Sequence, residues 1–184
     1  MNESKGVLII IIIAFAVLGG IIFFPFSSST SATTEASDFL RIHIRANSNS
    51  TEDQNIKYEV KDEIVKVLAP LLSEAETKAE AMSIISNNLS LIMDTADRIL
   101  SENGFDYTCE ANVHSEYFPT RTYEDLTLES DIYDALILEL GTGTGDNWWC
   151  VVYPPMCFIN YSEDSSEDIV YKSKLVEIIT NFFS

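Results

Sequence analysis

The stretch GTGTGDNWWC, residues 141–150, places three alternating glycines before two tryptophans and a cysteine. It could serve as a phosphate-binding loop, a redox site or a turn. Glycine turns bind phosphate where a strand leads into a helix whose first amide groups face the anion. Here residues 148–153 predict a strand after the glycines, and the lysine of a P-loop is missing. We therefore predict that residues 142–147 form a hairpin loop rather than a nucleotide site.

Two histidines, His43 and His114, are the residues best suited to general acid–base catalysis, and either could meet Cys109 or a serine in space. Neither stands in a recognised motif, because the chain contains no HExxH and no GxSxG. The histidine and cysteine spacing does not match a zinc site either. The sequence thus predicts no catalytic residue, no metal and no cofactor. An exported hydrolase with an unrecognised site stays an alternative.

Cys150 and Cys157 flank the sequence VVYPPM. If the chain reverses at Tyr153-Pro154, the two thiols face each other across antiparallel strands at a separation that suits a disulfide. We predict this bridge as a candidate, and two buried thiols are the alternative. Cys109, the unpaired thiol, is expected in the core.

Two features could bind a partner protein. Trp148 and Trp149 are adjacent in a predicted strand and point to opposite faces, so one could lie in the core while the other is exposed. Burial of both is the alternative. Arg41 and Arg45, with His43 between them, form a positive stripe that could hold a carboxylate. Cross-strand pairing with Glu110 or Glu139 would satisfy these cations instead.

The elements that position these residues follow from apolar periodicity. Residues 39–48 alternate as a half-buried strand, and the patterns of 107–114, 133–140 and 148–153 predict three more strands. Amphipathic helices are predicted from Thr51, stopped near Pro70, from Thr77 to about Asn103, and over 175–182. The predicted fold is a single α+β domain with a mainly antiparallel four-stranded sheet and helices packed on one face. A long polar connection, 117–131, is expected to wrap the sheet edge.

An uncharged apolar run, Val7 to Phe26, is about 30 Å long as a helix, which matches the hydrocarbon thickness of a bilayer. We predict a signal peptide or signal anchor over residues 1–26, a flexible linker over 27–37 and an exported domain over 38–184. The uncleaved segment would contact a membrane through residues 7–26. From Asp38 onward the chain has 27 acidic and 10 basic residues, net −17, which disfavours nucleic acid as a partner.

Three stretches together resemble the stage II sporulation protein R family of endospore-forming bacteria: RANSNSTEDQNIKYEVKD (45–62), FPTRTY (118–123) and GTGTGDNWWCVVYPPMCF (141–158). The resemblance implies a secreted signalling protein, not an enzyme, that acts in the space between forespore and mother cell. There it would activate a membrane-embedded aspartic protease of the mother cell, which processes pro-sigma-E. An envelope-assembly protein is a further alternative.

The resemblance also assigns motif positions without contact roles. These positions are Asn47, Ser48, Asp53, Gln54, Trp148, Trp149, Cys150, Pro154, Pro155 and Cys157. Residues 124–125 and 129–131 depart from the turns that are usual in the family. The connection 117–131 is therefore where this chain departs most from the family pattern.

Overall fold

A computed structural model describes residues 35–123, 126–158 and 178–183. These residues all fall in one compact unit, Thr34–Ser184. The predicted signal segment 1–26 and most of the linker lie outside the described residues. Within the described ranges, no helix combines the length and the apolar character that crossing a membrane requires.

The chain forms an α+β domain whose elements agree in type with the sequence pattern. A 3-10 turn, Ala36–Asp38, begins two residues before the predicted domain boundary and is followed by the first strand. The strands are β1 (Leu40–Arg45), β2 (Cys109–Phe118), β3 (Arg121–Tyr123), β4 (Leu126–Leu128), β5 (Asp131–Leu140) and β6 (Asn147–Tyr153). The helices are α1 (Thr51–Leu72), α2 (Lys78–Asn87) and α3 (Leu89–Glu102), and residues 178–182 are also helical.

The helix boundaries differ from those that the sequence predicted. Ser50, rather than Thr51, caps α1, because its hydroxyl accepts the Asp53 amide at 3.1 Å. The helix continues past Pro70 to Leu72 instead of stopping at the proline. The second predicted helix divides at Asn88, whose side-chain amide donates to the Ile84 carbonyl at 2.8 Å.

The central sheet is mixed, with the order β2-β5-β1-β6, so the prediction of a mainly antiparallel sheet was wrong for its central pair. β1 pairs with β5 in parallel and with β6 in antiparallel, and β2 pairs with β5 in antiparallel. Three helices separate β1 from β2, and a connection of this length allows β1 to be parallel to a later strand.

One face of the sheet carries the helices, as predicted. Leu40, Ile42 and Ile44 of β1 pack there against buried residues of the helices, of which Ile64, Leu68 and Ile85 are fully covered. Burial of this continuous apolar layer supplies most of the stabilisation, at about 25 cal/mol for each Å² of apolar surface removed from water.

The opposite face is covered as well, so β1 is not the half-buried strand that its alternation predicted. The connection 117–131 contains the hairpin β3–β4, which belongs to a second apolar cluster with Phe39, Phe118, Tyr133 and Val151. Arg41 and His43 of β1 are consequently buried, at 0% and 4% exposure. Arg41 and His43 therefore occupy an internal site and not a solvated surface.

Candidate functional site

The glycine-rich loop crosses over the end of β1 and is not a hairpin loop. β1 lies between β5 and β6, so residues 141–146 must pass the carboxyl end of β1. The Gly145 amide donates to the Ala46 carbonyl at 2.8 Å. A Cβ on Gly145 would lie 2.2 Å from the Ser48 carbonyl oxygen, which only a glycine avoids without moving backbone.

Asparagine side chains accept hydrogen bonds from backbone amides of the loop, which a bound phosphate would need as donors. Asn47 Oδ1 accepts the Thr142 amide at 3.0 Å, and Asn49 Oδ1 accepts the Asp146 amide at 2.6 Å. The hydroxyls of Thr142 and Thr144 donate to the Asn47 carbonyl. The loop is therefore fastened to the segment after β1, as expected for a structural loop rather than a nucleotide site.

Asp53 holds the same segment from the helix side. Its carboxylate accepts Asn47 Nδ2 at 2.9 Å, Ser48 Oγ at 2.5 Å and the Tyr107 hydroxyl at 2.6 Å. Burial opposes ionisation of Asp53, but these hydrogen bonds and that of Ser50 outweigh it, so the pKa of the carboxyl lies below its ordinary value. Asp53 thus fixes the β1–α1 turn as an anion.

Gln54 and Lys57 add hydrogen bonds that hold the glycine-rich loop against helix α1. Lys57 is 1% exposed, and its ammonium donates to Gln54 Oε1 at 2.7 Å and to the Asp146 carbonyl at 2.8 Å. Burial is the main reason that the pKa of Lys57 is lowered, and Asp146 opposes the shift. The four motif residues of the first block, Asn47, Ser48, Asp53 and Gln54, therefore hold the β1–α1 turn and the glycine-rich loop that leads into β6.

The tryptophans lie on opposite faces of the edge strand β6, and both are partly buried. Trp148 packs at the margin of the helix-side core, with Lys61 Nζ 5.8 Å from its ring centroid. Trp149 lies on the second face, between the His43 ring at 5.3 Å and the Arg121 guanidinium at 4.3 Å. Neither tryptophan is fully buried and neither is fully exposed. The structure therefore lies between burial of both and exposure of one.

Arg41 does not belong to a partner surface, because it is completely buried. Its guanidinium lies over the rings of Phe118 and Tyr133, at 4.2 and 4.9 Å, and donates to the Tyr123 hydroxyl. Burial lowers the pKa of Arg41, and Tyr123 opposes that shift. Among the described residues, Nε and Nη1 of Arg41 have no hydrogen-bond partner. The aromatic box takes the place of the carboxylate that a buried arginine usually has.

Arg45 stays at the surface and is satisfied within the domain. It is part-buried and forms ion pairs with Glu116 and with its cross-strand neighbour Glu139. His43 Nδ1 lies 3.4 Å from Glu116 Oε1, and exposed His114 Nε2 lies 3.8 Å from Glu116 Oε2. Cross-strand pairing therefore accounts for the positive charge of Arg45.

His43 makes the stability of the domain sensitive to pH. Burial lowers its pKa from the ordinary 6.5, although Asn147 and Glu116 oppose the shift. The unfolded chain then binds a proton that the folded domain does not, so stability is lost as the pH falls below 6.5. We expect the unfolding free energy of the native protein to fall between pH 7 and pH 5, and His43→Phe to flatten this dependence in urea titrations. An unchanged pH profile in that variant would contradict this role.

Cys109 and the side chains that could bind a metal are not arranged for catalysis or metal binding. Cys109 is buried, and burial, with Asp97 and two glutamates, raises the pKa of its thiol to about 12. A thiol in that state is a poor nucleophile. In the part of the chain that the structure describes, no group of His, Cys, Asp and Glu could hold a metal ion.

A disulfide joins Cys150 of β6 to Cys157, with the two Cα atoms 6.0 Å apart. Cys157 lies in the 3-10 turn Met156–Phe158 and not on an antiparallel strand, so the route of the chain differs from the prediction. Pro154 and Pro155 are buried before this turn, where the Pro154 carbonyl accepts the Met156 amide at 2.7 Å. The bridge and the prolines fix the end of β6.

We expect non-reduced protein to yield a Cys150–Cys157 linked peptide, two hydrogen atoms below the mass of the dithiol form, in peptide mass spectrometry. Cys109 should react with an alkylating reagent only after unfolding, because its thiol is buried. Complete alkylation of Cys150 and Cys157 without reductant would show that the bridge does not form in the native protein.

Sequence reasoning missed the residues that surround Trp149 and Arg41. Arg121 and Tyr123 come from the hairpin β3–β4, and Glu116 comes from the far end of β2. The first two lie in the FPTRTY stretch, which the family resemblance marked without giving its residues a role. For Glu116, no local pattern indicated a role.

Comparison with known proteins finds one family whose match spans most of the described domain. The family described as stage II sporulation protein R matches residues 36–163. One curated relative, stage II sporulation protein R of Bacillus subtilis (strain 168), is 29% identical over 149 residues, which cover 77% of this chain and 66% of the relative. The chain thus spans just under two thirds of the length of that relative. No solved structure gives a significant match to this chain.

Proposed function

Because this chain belongs to the stage II sporulation protein R family, we propose that it is an exported signal that activates a membrane-embedded protease. In this proposal the protein acts between forespore and mother cell, and the protease then removes the pro-sequence of sigma-E. Activation occurs by contact, and the protein performs no chemistry of its own.

The position of Trp149 is the observation that carries this proposal. Its indole is held between His43 and Arg121, on an edge strand whose adjoining loop is locked by the first motif block. A rigid, part-exposed tryptophan next to an arginine is the composition found at the energetic centre of protein interfaces. We define Trp149, Arg121 and Arg45 as the Trp149 surface and assign the protease contact to it.

Processing of pro-sigma-E in sporulating cells tests this function. Cells that lack their own activator should process the precursor when they express this chain. The matched control is the Trp149→Ala chain at equal exported level. If the native chain is exported and folded but the precursor stays unprocessed, the activator function is wrong for this protein.

The proposal requires export with the amino terminus inside the cell. Lys5 precedes the apolar run Val7 to Phe26, and no Lys or Arg follows it before Arg41, so the positive-inside rule gives this orientation. We expect a reporter that works only outside the cytoplasm to be active when fused after Ser184. Full activity of a cytoplasm-dependent reporter at the same position would refute the topology.

Cleavage of the apolar segment is a separate expectation. The small residues Thr30-Ser31-Ala32 resemble a signal-peptidase region, so a mature form should begin near Thr33. Amino-terminal sequencing of the exported protein measures this. A persistent full-length membrane species would show an anchor instead and would leave the topology unaffected.

A further inference from the structure

We propose that the outer edge of β2 receives an extended segment of a partner protein, with alternating basic and apolar residues, as a fifth strand of the sheet. The proposed function supplies the biological setting, since the membrane receptor would be the natural source of such a segment. The binding itself is independent of any protease and is tested without one.

The backbone of β2 offers free hydrogen-bonding groups along its outer side. The Gly141 amide bonds to the Thr108 carbonyl, and the register runs from Cys109 opposite Leu140 to Phe118 opposite Asp131. Antiparallel ladders alternate, so the odd-numbered residues of β2 direct their amides and carbonyls away from β5. Those of Ala111, Val113, Ser115 and Tyr117 have no hydrogen-bond partner among the described residues.

This edge carries Glu110 and Glu116 but lacks several other features that normally prevent strand addition. β2 is 10 residues long, its register with β5 shows no bulge, and it contains neither lysine nor proline. Proteins usually protect an exposed edge with such residues or with a bulge. The outward Cys109 amide is the exception, because it donates to Asp97 at 2.7 Å. A row of open positions therefore begins at Ala111.

The helix-side margin of this edge is apolar. Tyr117 and its cross-strand neighbour Ile132 are 64% and 63% exposed, the two most exposed large apolar side chains of the described residues. Val113 is part-buried on the same side. A strand added to β2 would place every second residue of its own beside Val113 and Tyr117.

The other margin is acidic. Glu110 is exposed beside Glu139 in the ladder, and Glu116 lies farther along the strand. Among the described residues, Arg45 pairs with Glu116 and Glu139, and His43 and His114 lie 3.4 and 3.8 Å from Glu116. A second copy would set like charges against each other, because the domain carries net −17. A basic strand is complementary, and we therefore favour it over self-association.

Hydrogen exchange with a defined peptide tests the proposal. The probe is a ten-residue peptide of alternating lysine and valine, and its control has the same composition in two blocks. The alternating peptide should slow exchange of the Ala111, Val113, Ser115 and Tyr117 amides and should bind about tenfold more tightly than the block peptide. Equal binding of both peptides, or unprotected β2 amides, would overturn the proposal.

A matched pair of variants isolates the backbone contribution. Ser115→Ala and Ser115→Pro both lose the Ser115–Asp134 hydrogen bond, but only proline also removes the outward amide. Ser115→Pro should bind the alternating peptide about tenfold more weakly than Ser115→Ala. Equal affinities of the two folded variants would contradict strand addition.

A second variant keeps the test decisive if Ser115→Pro does not fold. Glu110→Lys places a cation beside Glu139. It should lower the affinity for the lysine–valine peptide and raise the affinity for an alternating glutamate–valine peptide. Unchanged peptide preference in this variant, or protection of β2 by self-association without any peptide, would overturn the proposal. Neither result would affect the protease test, which is read from pro-sigma-E processing.

Discussion

Gly145→Ala is expected to destabilise the domain by about 3 kcal/mol, the largest stability effect of any single small substitution proposed here. Its Cβ would lie 2.2 Å from the Ser48 carbonyl oxygen and 3.0 Å from Ala46 Cβ, and the nearer of these atoms is backbone. Relief of the clash separates the glycine-rich loop from the end of β1 and weakens the contacts around Asn47. Urea denaturation of the exported domain measures the loss.

Gly104→Ala is the matched control. Gly104 has φ +82 but no atom within 4 Å of an added Cβ, so the substitution costs only backbone strain, about 1 kcal/mol. Gly145 has no positive φ, so its cost comes from the close approach alone. A loss in Gly145→Ala no greater than that in Gly104→Ala would show that the loop is not locked onto β1.

Trp149→Ala is expected to weaken activation of the protease roughly thirtyfold, equivalent to 2 kcal/mol at an interface hot spot. The indole contributes there mainly when a partner buries its remaining exposed surface. The concentration of domain that gives half-maximal processing measures this effect, with the folded fraction of each variant determined by circular dichroism.

Variants at Trp148, His43 and His114 serve as controls for Trp149. Trp148→Ala lies on the helix side and should reduce stability with little change in activation per folded molecule. His114→Ala and His43→Phe should leave activation largely intact, because neither histidine transfers protons in a reaction. Lost processing in a folded histidine variant, with Trp149→Ala unaffected, would favour an enzyme over a ligand.

The helices and strands were predictable because local periodicity specifies them. The alternation of Leu40, Ile42 and Ile44 placed β1, and the apolar stripes placed α1 and α3. Strand order is not a local property, and the parallel pair β1–β5 joins residues more than 90 positions apart in the chain. Because of this pairing, the glycine-rich segment crosses the end of β1 and is not the hairpin loop that the sequence predicted.

The residues that cover the second face of the sheet were harder to predict from the sequence. β3 and β4 have 3 residues each, too few to show a periodicity. Arg41 was predicted on a solvated face because residues 39–48 alternate as a half-buried strand. Its partners are the aromatic rings of Phe118, Tyr123 and Tyr133, and no spacing rule connects these residues to Arg41.

The motif residues of the candidate site were identified from the sequence, whereas their roles required the structure. Asn47 bonds to Thr142, and Lys57 bonds to the Asp146 carbonyl, across some 90 residues of chain. Sequence resemblance marks such positions without separating a residue that binds a partner from one that positions it. The structure assigns Asn47, Ser48, Asp53 and Gln54 to positioning and leaves Trp149 at the surface.

The central claim is activation by contact, and reconstitution in liposomes tests it most directly. Purified domain 38–184 would be added to liposomes that contain the membrane protease and its pro-sigma-E substrate. We expect processing that depends on the native domain, saturates with its concentration and requires roughly thirtyfold more of Trp149→Ala. Absence of processing with folded native domain and a protease shown to be competent, or equal processing without the domain, would contradict the account.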